Sequence, residues 1–593
     1  MGQLLLWGGA IAARGRLQWT LTGSLSLWDT VAFWAPELFL LAALALWASW
    51  THQLMRVGPV LRVSAQLFVI LVAMGMTWPL HAGLLWTGSM VRWSLATWWM
   101  ELEGWEEGSA LLVVQMSTLA ATIAVTTLLA MVAPWRRRLW PRLALAALLS
   151  VPAWFGVPSA RVPDYVAISP LVYVARSRVS WTQQGELMWK RPIPTGMVTV
   201  GVPKFQYNVA YVFLESTGMN AISVQRAELG TTPFLSELAG RSLVATRMYS
   251  TMTSTYKSHV ATLCGVEPWF VGDRELHAEA WPFQCLPGLL RERGYDTAYF
   301  TSSGRDMLWW DVLVGHLGFT TFEGYEDFEA RWGPRWIEKW EDANGWAYED
   351  DILLRPSADW LDAHRAKPFV VAYMATTPHY EYSAPTRYGR HPFSSDDEYN
   401  RYLNAVHYLD NFLRNLMDQY EAYGLLDRTV FVFVGDHGEA FGEHLPMQHN
   451  AQPYEEALRV PMFIVAPGHF EGGARAEGVS NQVDIAPTVL DLLGWQVAPG
   501  SAQGESLVGP RRRTESYSSC LYVMSCAALV QDRWKYVEHF DERSGELFDL
   551  DADPLETLDL KASHPEIAAE LRRRVLGWYF QADPEAGPPE AYP

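Results

Sequence analysis

Residues 429–444 read TVFVFVGDHGEAFGEH. The stretch Thr429–Val434 is almost wholly β-branched or aromatic, which reads as a buried strand. It runs into Gly435 and then Asp436-His437-Gly438. An apolar strand has no structural need to finish in Asp-His. A carboxylate beside an imidazole is a natural ligand pair for a divalent metal. The ordinary alternatives are a helix N-cap for Asp436 and a surface-loop ring for His437.

Working outward, NVAYVFLEST (208–217) is a second buried strand that ends in an acid, Glu215. Further apolar runs are FVVAYMAT (369–376) and PMFIVAPG (461–468), and helical stretches lie between the runs. TPFLSELAGRS reads as a helix opened by Thr232-Pro233, and 397–423 as a long one. Strands alternating with helices predict an α/β fold, a doubly wound mixed sheet with helices on both faces. Ligands in such folds bind beyond the carboxyl ends of the strands. Glu215, Asp436 and His437 fall at that edge.

The third element is MYSTMTSTYKSHVATLCGVEP (248–268), hydroxyl-rich at first and then a small-residue helix from about Ser258. A hydroxyl at a helix N-terminus is a candidate nucleophile, because the dipole and the unpaired N–H groups favour an anion there. A metal would lower its pKa further. Six Ser and Thr side chains between Ser250 and Ser258 leave the choice among them open on chemistry alone.

Glu215, the hydroxyl loop and Asp436-His437 together resemble the sulfatase branch of the alkaline phosphatase superfamily. That branch includes lipoteichoic acid synthases and the phosphoethanolamine and phosphoglycerol transferases. The similarity runs over roughly 208–560. Sulfatases carry a nucleophilic cysteine, oxidised to formylglycine, in Cys-x-Pro-Ser-Arg. The matching stretch here is Thr255-Tyr256-Lys257-Ser258-His259. The membrane-bound transferases use threonine at that place, so the resemblance implies Thr255 as nucleophile. It implies Glu215, Thr255, Asp436 and His437 as ligands of one divalent metal ion, manganese, zinc or magnesium. His449 would contact the ester's non-bridging oxygens or protonate the leaving group, with His444 as a lesser candidate. His379 would bind substrate, and Lys257 and His259 would offset the ester's charge. Trp310 stands near the place of a glycerol-phosphate pocket, but Asp311 and Val312 follow it and the Phe-Trp-Asn-Arg arrangement is not kept. RVPMFIVAPG, VDIAPTVLDLLG and the stretch 532–560 resemble the sulfatase C-terminal region. There Asp484 and Thr488 read as helix caps, and Asp549, Asp551 and Asp553 as a turn.

A length of 593 residues allows about three or four units. A net charge of −19 argues against a nucleic-acid partner. Residues 1–160 hold four apolar stretches, near 31–50, 64–87, 109–133 and 141–158, and are expected to form about four transmembrane helices. Arg136, Arg137, Arg138 and Arg142 place the last connecting loop in the cytoplasm, and the acidic 101–107 loop faces outward. No stretch resembles a cleavable signal peptide, so the chain is expected to stay anchored. Residues 161–207 then form a membrane-surface connector, with basic residues interspersed among Tyr173, Trp181 and Trp189. The remainder divides into a catalytic domain, 208–500, and a smaller α+β C-terminal subdomain, 501–593, that completes the sulfatase-like fold. On this topology the catalytic part is extracytoplasmic, held at the plasma membrane bilayer. Its substrate is then a membrane lipid or envelope glycan. An oxidising location makes two disulfides the expectation, Cys264–Cys285 and Cys520–Cys526, the alternative being four buried thiols.

Overall fold

The structure is a computed structural model. It describes Met197, Thr199, Val200 and residues 206–580 apart from 269–280, 282, 306, 308–309, 344, 445–448, 450–452, 499, 510–512, 521–525 and 540–543. The expected membrane helices and nearly all of the connector lie outside the described residues. Among the described residues no helix is long and apolar enough to cross a membrane.

The central sheet has nine strands. In chain order they are β1 Asn208–Leu214, β2 Leu243–Tyr249, β3 Asp296–Thr301, β4 Thr321–Glu323, β5 Phe369–Ala375, β6 Thr429–Gly435, β7 Arg459–Val460, β8 Met462–Val465 and β9 Ala474–Asn481. Their spatial order is β9-β2-β8-β6-β1-β5-β3-β4, with β7 paired to β2. All neighbours are parallel except where β7 and β8 run against β2 and β6, so the sheet is mixed, as the sequence predicts.

Every residue of β1 is buried, because the sheet is covered on both sides. Val209, Tyr211 and Phe213 face one core, shared with helices α1 Thr255–Cys264, α2 Leu286–Arg291 and α4 Ile485–Leu492. Ala210, Val212 and Leu214 face the other, shared with the long helix α3 Asp397–Ala422. This is the period-2 alternation of a strand with both faces apolar. The register fixes the edge. Leu214 pairs with Ala375 on one side and Gly435 on the other, so Glu215, Thr376 and Asp436 emerge side by side.

The C-terminal part is an antiparallel sheet, β10 Glu515–Ser519, β11 Cys526–Gln531, β12 Trp534–His539 and β13 Glu546–Asp549, in that spatial order. Helix α5, Pro565–Phe580, covers one face through Leu571, Val575 and Leu576. The other face, with Val530, Val537 and Phe548, packs on Tyr249, Tyr454 and Val479 of the main domain. Both expected disulfides are formed. Asp549 accepts from the backbone N–H groups of Asp551 and Ala552 at 3.2 and 3.3 Å, which closes the acidic turn. Asp484 accepts from Asn481 N at 3.0 Å as half of a capping box, and the Thr488 hydroxyl donates to the Asp484 carbonyl at 2.6 Å.

Candidate active site

Thr255 is the first residue of α1, three positions earlier than the sequence reading put the helix start. Ser254 is the cap residue and stays extended at φ −152°. The helix ends at Gly265, in the left-handed region at φ 64°, where the absence of a Cβ removes the steric cost. Thr255 therefore stands on a helix N-terminus that points at the carboxyl edge of the sheet.

Four side chains meet there. The Thr255 hydroxyl lies 3.4 Å from Glu215 Oε2 and 3.4 Å from His437 Nε2. His437 Nε2 is 3.5 Å from Glu215 Oε1 and 3.4 Å from Asp436 Oδ2. Glu215, Asp436 and His437 form a buried group whose ligand atoms all lie within 4.8 Å of one another. His437 Nδ1 sits 3.0 Å from the Gly438 carbonyl, and a proton held there leaves Nε2 with its lone pair toward the cluster. Burial holds this ring below its ordinary pKa, hence neutral. Asp436 Oδ1 accepts from Ser216 N at 2.9 Å and from His437 N at 2.7 Å, while its buried Oδ2 has no hydrogen-bond partner. Burial, and then the Asp436 charge, push the Glu215 carboxyl well above its ordinary range. Two carboxylates in one dry pocket are relieved by a proton or a cation. A tetrahedral ion with bonds of about 2.1 Å spaces its ligands by about 3.4 Å. The orphaned oxygen, the neutral imidazole and the spacings all fit a divalent metal held by Glu215, Thr255, Asp436 and His437.

Beyond this cluster the histidines divide. His449 stacks on His437 with ring centroids 3.9 Å apart, and its Nδ1 is 3.3 Å from both oxygens of Glu439. Burial, and then His379, lower its pKa to about 3. His379 is 6.1 Å from His449 between centroids and donates from Nδ1 to the Tyr380 carbonyl at 2.8 Å. Trp346 meets His379 edge-on at 4.9 Å. Lys257 is buried, with its ammonium 4.7 Å above the Tyr256 ring.

Two expectations are corrected. His259 stacks on Phe213 at 3.6 Å, its Nδ1 bonds the Thr255 carbonyl at 2.7 Å and its Nε2 the Tyr299 hydroxyl at 3.0 Å. Burial lowers its pKa to about 3, so it is a neutral core ring that offsets no ester charge. His444 is taken up at both nitrogens, by Glu456 at 2.9 Å and by the Glu556 carbonyl at 3.0 Å, which leaves nothing for a leaving group. Trp310, where the sequence already departs from the glycerol-phosphate arrangement, is buried against His259 at 4.9 Å and Tyr299 at 5.7 Å.

Sequence reasoning missed Glu439, although it lies two residues past His437 in the opening motif. It is buried, and burial raises its carboxyl to about 7. Tyr402 was also missed. From α3 it donates to the Ser216 carbonyl at 2.8 Å and accepts from Gly218 N at 3.3 Å. Ser216 sits at φ 50°, a strained position for a residue with a side chain. Tyr402 holds the turn that carries Glu215.

The family model described as Sulfatase matches residues 207–495, and that of the N-sulphoglucosamine sulphohydrolase C-terminal region matches 442–578. A lipoteichoic acid synthase-like protein, YvgJ of Bacillus subtilis (strain 168), is 24% identical over 358 residues. That alignment covers 58% of this chain and 55% of the relative, so the match spans little more than half of that protein. An N-acetylgalactosamine-6-O-sulfatase of Bacteroides thetaiotaomicron is 22% identical over 484 residues, 61% of this chain and 91% of the relative. The crystal structure of the lipoteichoic acid synthase LtaP from Listeria monocytogenes superposes with a TM-score of 0.50 at 20% identity, covering 69% of this chain and 99% of that one, which is a likeness of fold. The edge acids, the helix-borne hydroxyl and the sheet order agree with these matches: through residues 207–495 the chain belongs to the sulfatase family, and it is an enzyme of the alkaline phosphatase superfamily.

Proposed function

We propose that this enzyme is a membrane-anchored phosphotransferase that uses Thr255 to take a phosphoryl-linked headgroup from a lipid and pass it to an envelope glycan, lipid or polymer hydroxyl. The observation that carries the reading is the Thr255 hydroxyl, 3.4 Å from both Glu215 and His437 at a helix N-terminus. The cysteine of that helix, Cys264, lies at its opposite end in a disulfide with Cys285, away from formylglycine chemistry. The apolar stretches of residues 1–160 support the anchor.

Thr255 Oγ attacks the phosphorus of the donor, and the bond from phosphorus to the lipid alcohol breaks. The alcohol leaves with the proton that the Thr255 hydroxyl gives up, and the phosphoryl group stays on Thr255. In the second half an acceptor hydroxyl attacks that phosphorus, its proton passes to the neutral His449, and His449 returns it to Thr255 Oγ as the Thr255–phosphorus bond breaks. Glu439 behind His449 stabilises the imidazolium as it forms. Glu215, Thr255, Asp436 and His437 would hold a divalent cation, which would supply Lewis acidity to lower the Thr255 pKa and polarise the ester oxygen. His379 and Lys257 are assigned to substrate and to its charge.

A second reading is hydrolysis of phosphate or sulfate esters, with water as acceptor. The sulphohydrolase C-terminal match and the near-full-length sulfatase relative favour it. Mass spectrometry of the enzyme after incubation with Mn2+ and a lipid extract separates the two. We expect a phosphoryl-linked adduct on Thr255 and a headgroup-bearing product, both absent in Thr255→Ala, with turnover down at least about 10³-fold. Accumulation of free phosphate or sulfate alone would establish the hydrolase instead. Retained activity in Thr255→Ala would move the nucleophile elsewhere, with Ser254 next in line.

A further inference from the structure

Gln482 lies wholly buried at the end of β9, outside the ligand set. Its amide nitrogen is 2.7 Å from Ser258 Oγ, 2.9 Å from the Gly435 carbonyl and 2.8 Å from the Asp436 carbonyl. Its Oε1 accepts from Thr251 N at 3.2 Å. The amide orientation is determined by these partners, since the reverse rotamer would set oxygen against two carbonyls. Ser258 is one turn along α1 from Thr255, and Asp436, read as a ligand, follows the last residue of β6. One side chain therefore joins the helix that carries the nucleophile to the strand end that carries the metal corner.

The segment that bears Gln482 is itself held from both sides. Asn481 Nδ2 donates to Ser516 Oγ at 2.8 Å and to the Tyr517 carbonyl at 3.2 Å, on β10. Asp484 pairs with Arg513 at 3.1 Å. Gln482 is thus pinned between the main sheet and the C-terminal sheet.

The geometry points to Gln482 as a positioning residue that sets the separation of Thr255 from Asp436-His437. The role rests on the reading of Thr255 and Asp436 as metal ligands. Groups that orient ligands cost on the order of 10–100-fold in metal affinity when removed.

The test is titration of the full-length chain with Mn2+ and Zn2+, each alone, in Gln482→Leu and Ser258→Ala. Urea midpoints of the metal-free proteins are measured beside it. We expect Gln482→Leu to weaken binding on the order of 10–100-fold and Ser258→Ala to weaken it less. We also expect the Gln482→Leu loss to shrink when Thr255 is already alanine, since the two act through one helix. Unchanged affinity in Gln482→Leu overturns the role. If that variant does not fold, Ser258→Ala decides, because unchanged affinity there overturns it too. Unchanged affinity in Thr255→Ala, with Gln482→Leu still weakened through Asp436, removes Thr255 from the ligand set and leaves the Gln482–Asp436 link standing. A parent chain that binds neither ion overturns both readings.

Discussion

A Cβ on Gly438 would lie 2.1 Å from the Glu456 carbonyl oxygen and 3.1 Å from the Gly218 Cα. The chain after His437 passes so close to two other segments that only hydrogen fits. Gly438 N also donates to the Ala457 carbonyl at 2.7 Å, so the backbone cannot swing aside without losing that bond. We expect Gly438→Ala to cost about 2–4 kcal/mol, seen as a lower urea midpoint, and to weaken Mn2+ binding by displacing His437. The sequence showed this glycine beside Asp436-His437 but not the reason for it, since Glu456 and Gly218 are not its neighbours along the chain. The same holds for Gln482. Its three acceptors are two backbone carbonyls and a serine hydroxyl, which leave no compositional signature. Asp436 and His437 were legible because a charged pair ending an apolar strand is locally anomalous. His259 misled because a histidine four residues from Thr255 reads alike whether it faces the site or the core.

Among elements, the strands read well from sequence and the helix start did not. β1, β5 and β6 are buried along their whole length and almost wholly apolar because the sheet is covered on both faces. The hydroxyl run before α1 blurs its first turn, since Ser and Thr serve equally as cap and as helix. The short helix Glu455–Leu458 shows how elements share a titrating group. Glu456 reaches back to His444, which also bonds the Glu556 carbonyl from the C-terminal part. Burial alone would lower the His444 pKa, but the hydrogen bond and charge of Glu456 outweigh it and raise the value to about 9. The contribution to stability is complete below the ordinary histidine range and is lost as pH rises through about 9. Thermal unfolding of the parent and His444→Gln should therefore differ at pH 7 and converge by about pH 10. A gap that stayed constant across that range would assign the effect to packing on Tyr454 instead.

At the scale of the molecule, the C-terminal sheet is part of the enzyme's architecture and not an appendage. Lys535, fully buried, reaches Glu455 at 3.1 Å and Glu556 at 2.8 Å. Asp484 and His444 are likewise tied to residues beyond 500. A chain ended at residue 500 would leave the Glu455 and Asp484 carboxylates without their buried partners, at several kcal/mol apiece. We expect that truncation to lose cooperative unfolding and metal uptake together. Calorimetry and Mn2+ titration on the shortened protein check this, and a truncated chain that still bound Mn2+ as tightly would return the C-terminal sheet to a peripheral role. The α/β architecture was legible in the alternation of runs. The dependence of the site on the small sheet was not, because it passes through single contacts between segments far apart in sequence.

The bond from Ser216 N to Asp436 Oδ1 joins residues 220 apart, and Gln482 closes the same corner later still. A ribosome delivers this corner in instalments. Glu215 and Thr255 emerge first, the Asp-His pair some two hundred residues afterwards, and Gln482 with the sheet that braces it after that. Until the strand end at Asp436-His437 is made, Glu215 and Thr255 have none of the later residues of that corner beside them. On the reading of Thr255 as nucleophile, a chain stopped before residue 436 carries that threonine without the Asp436-His437 corner that would activate it.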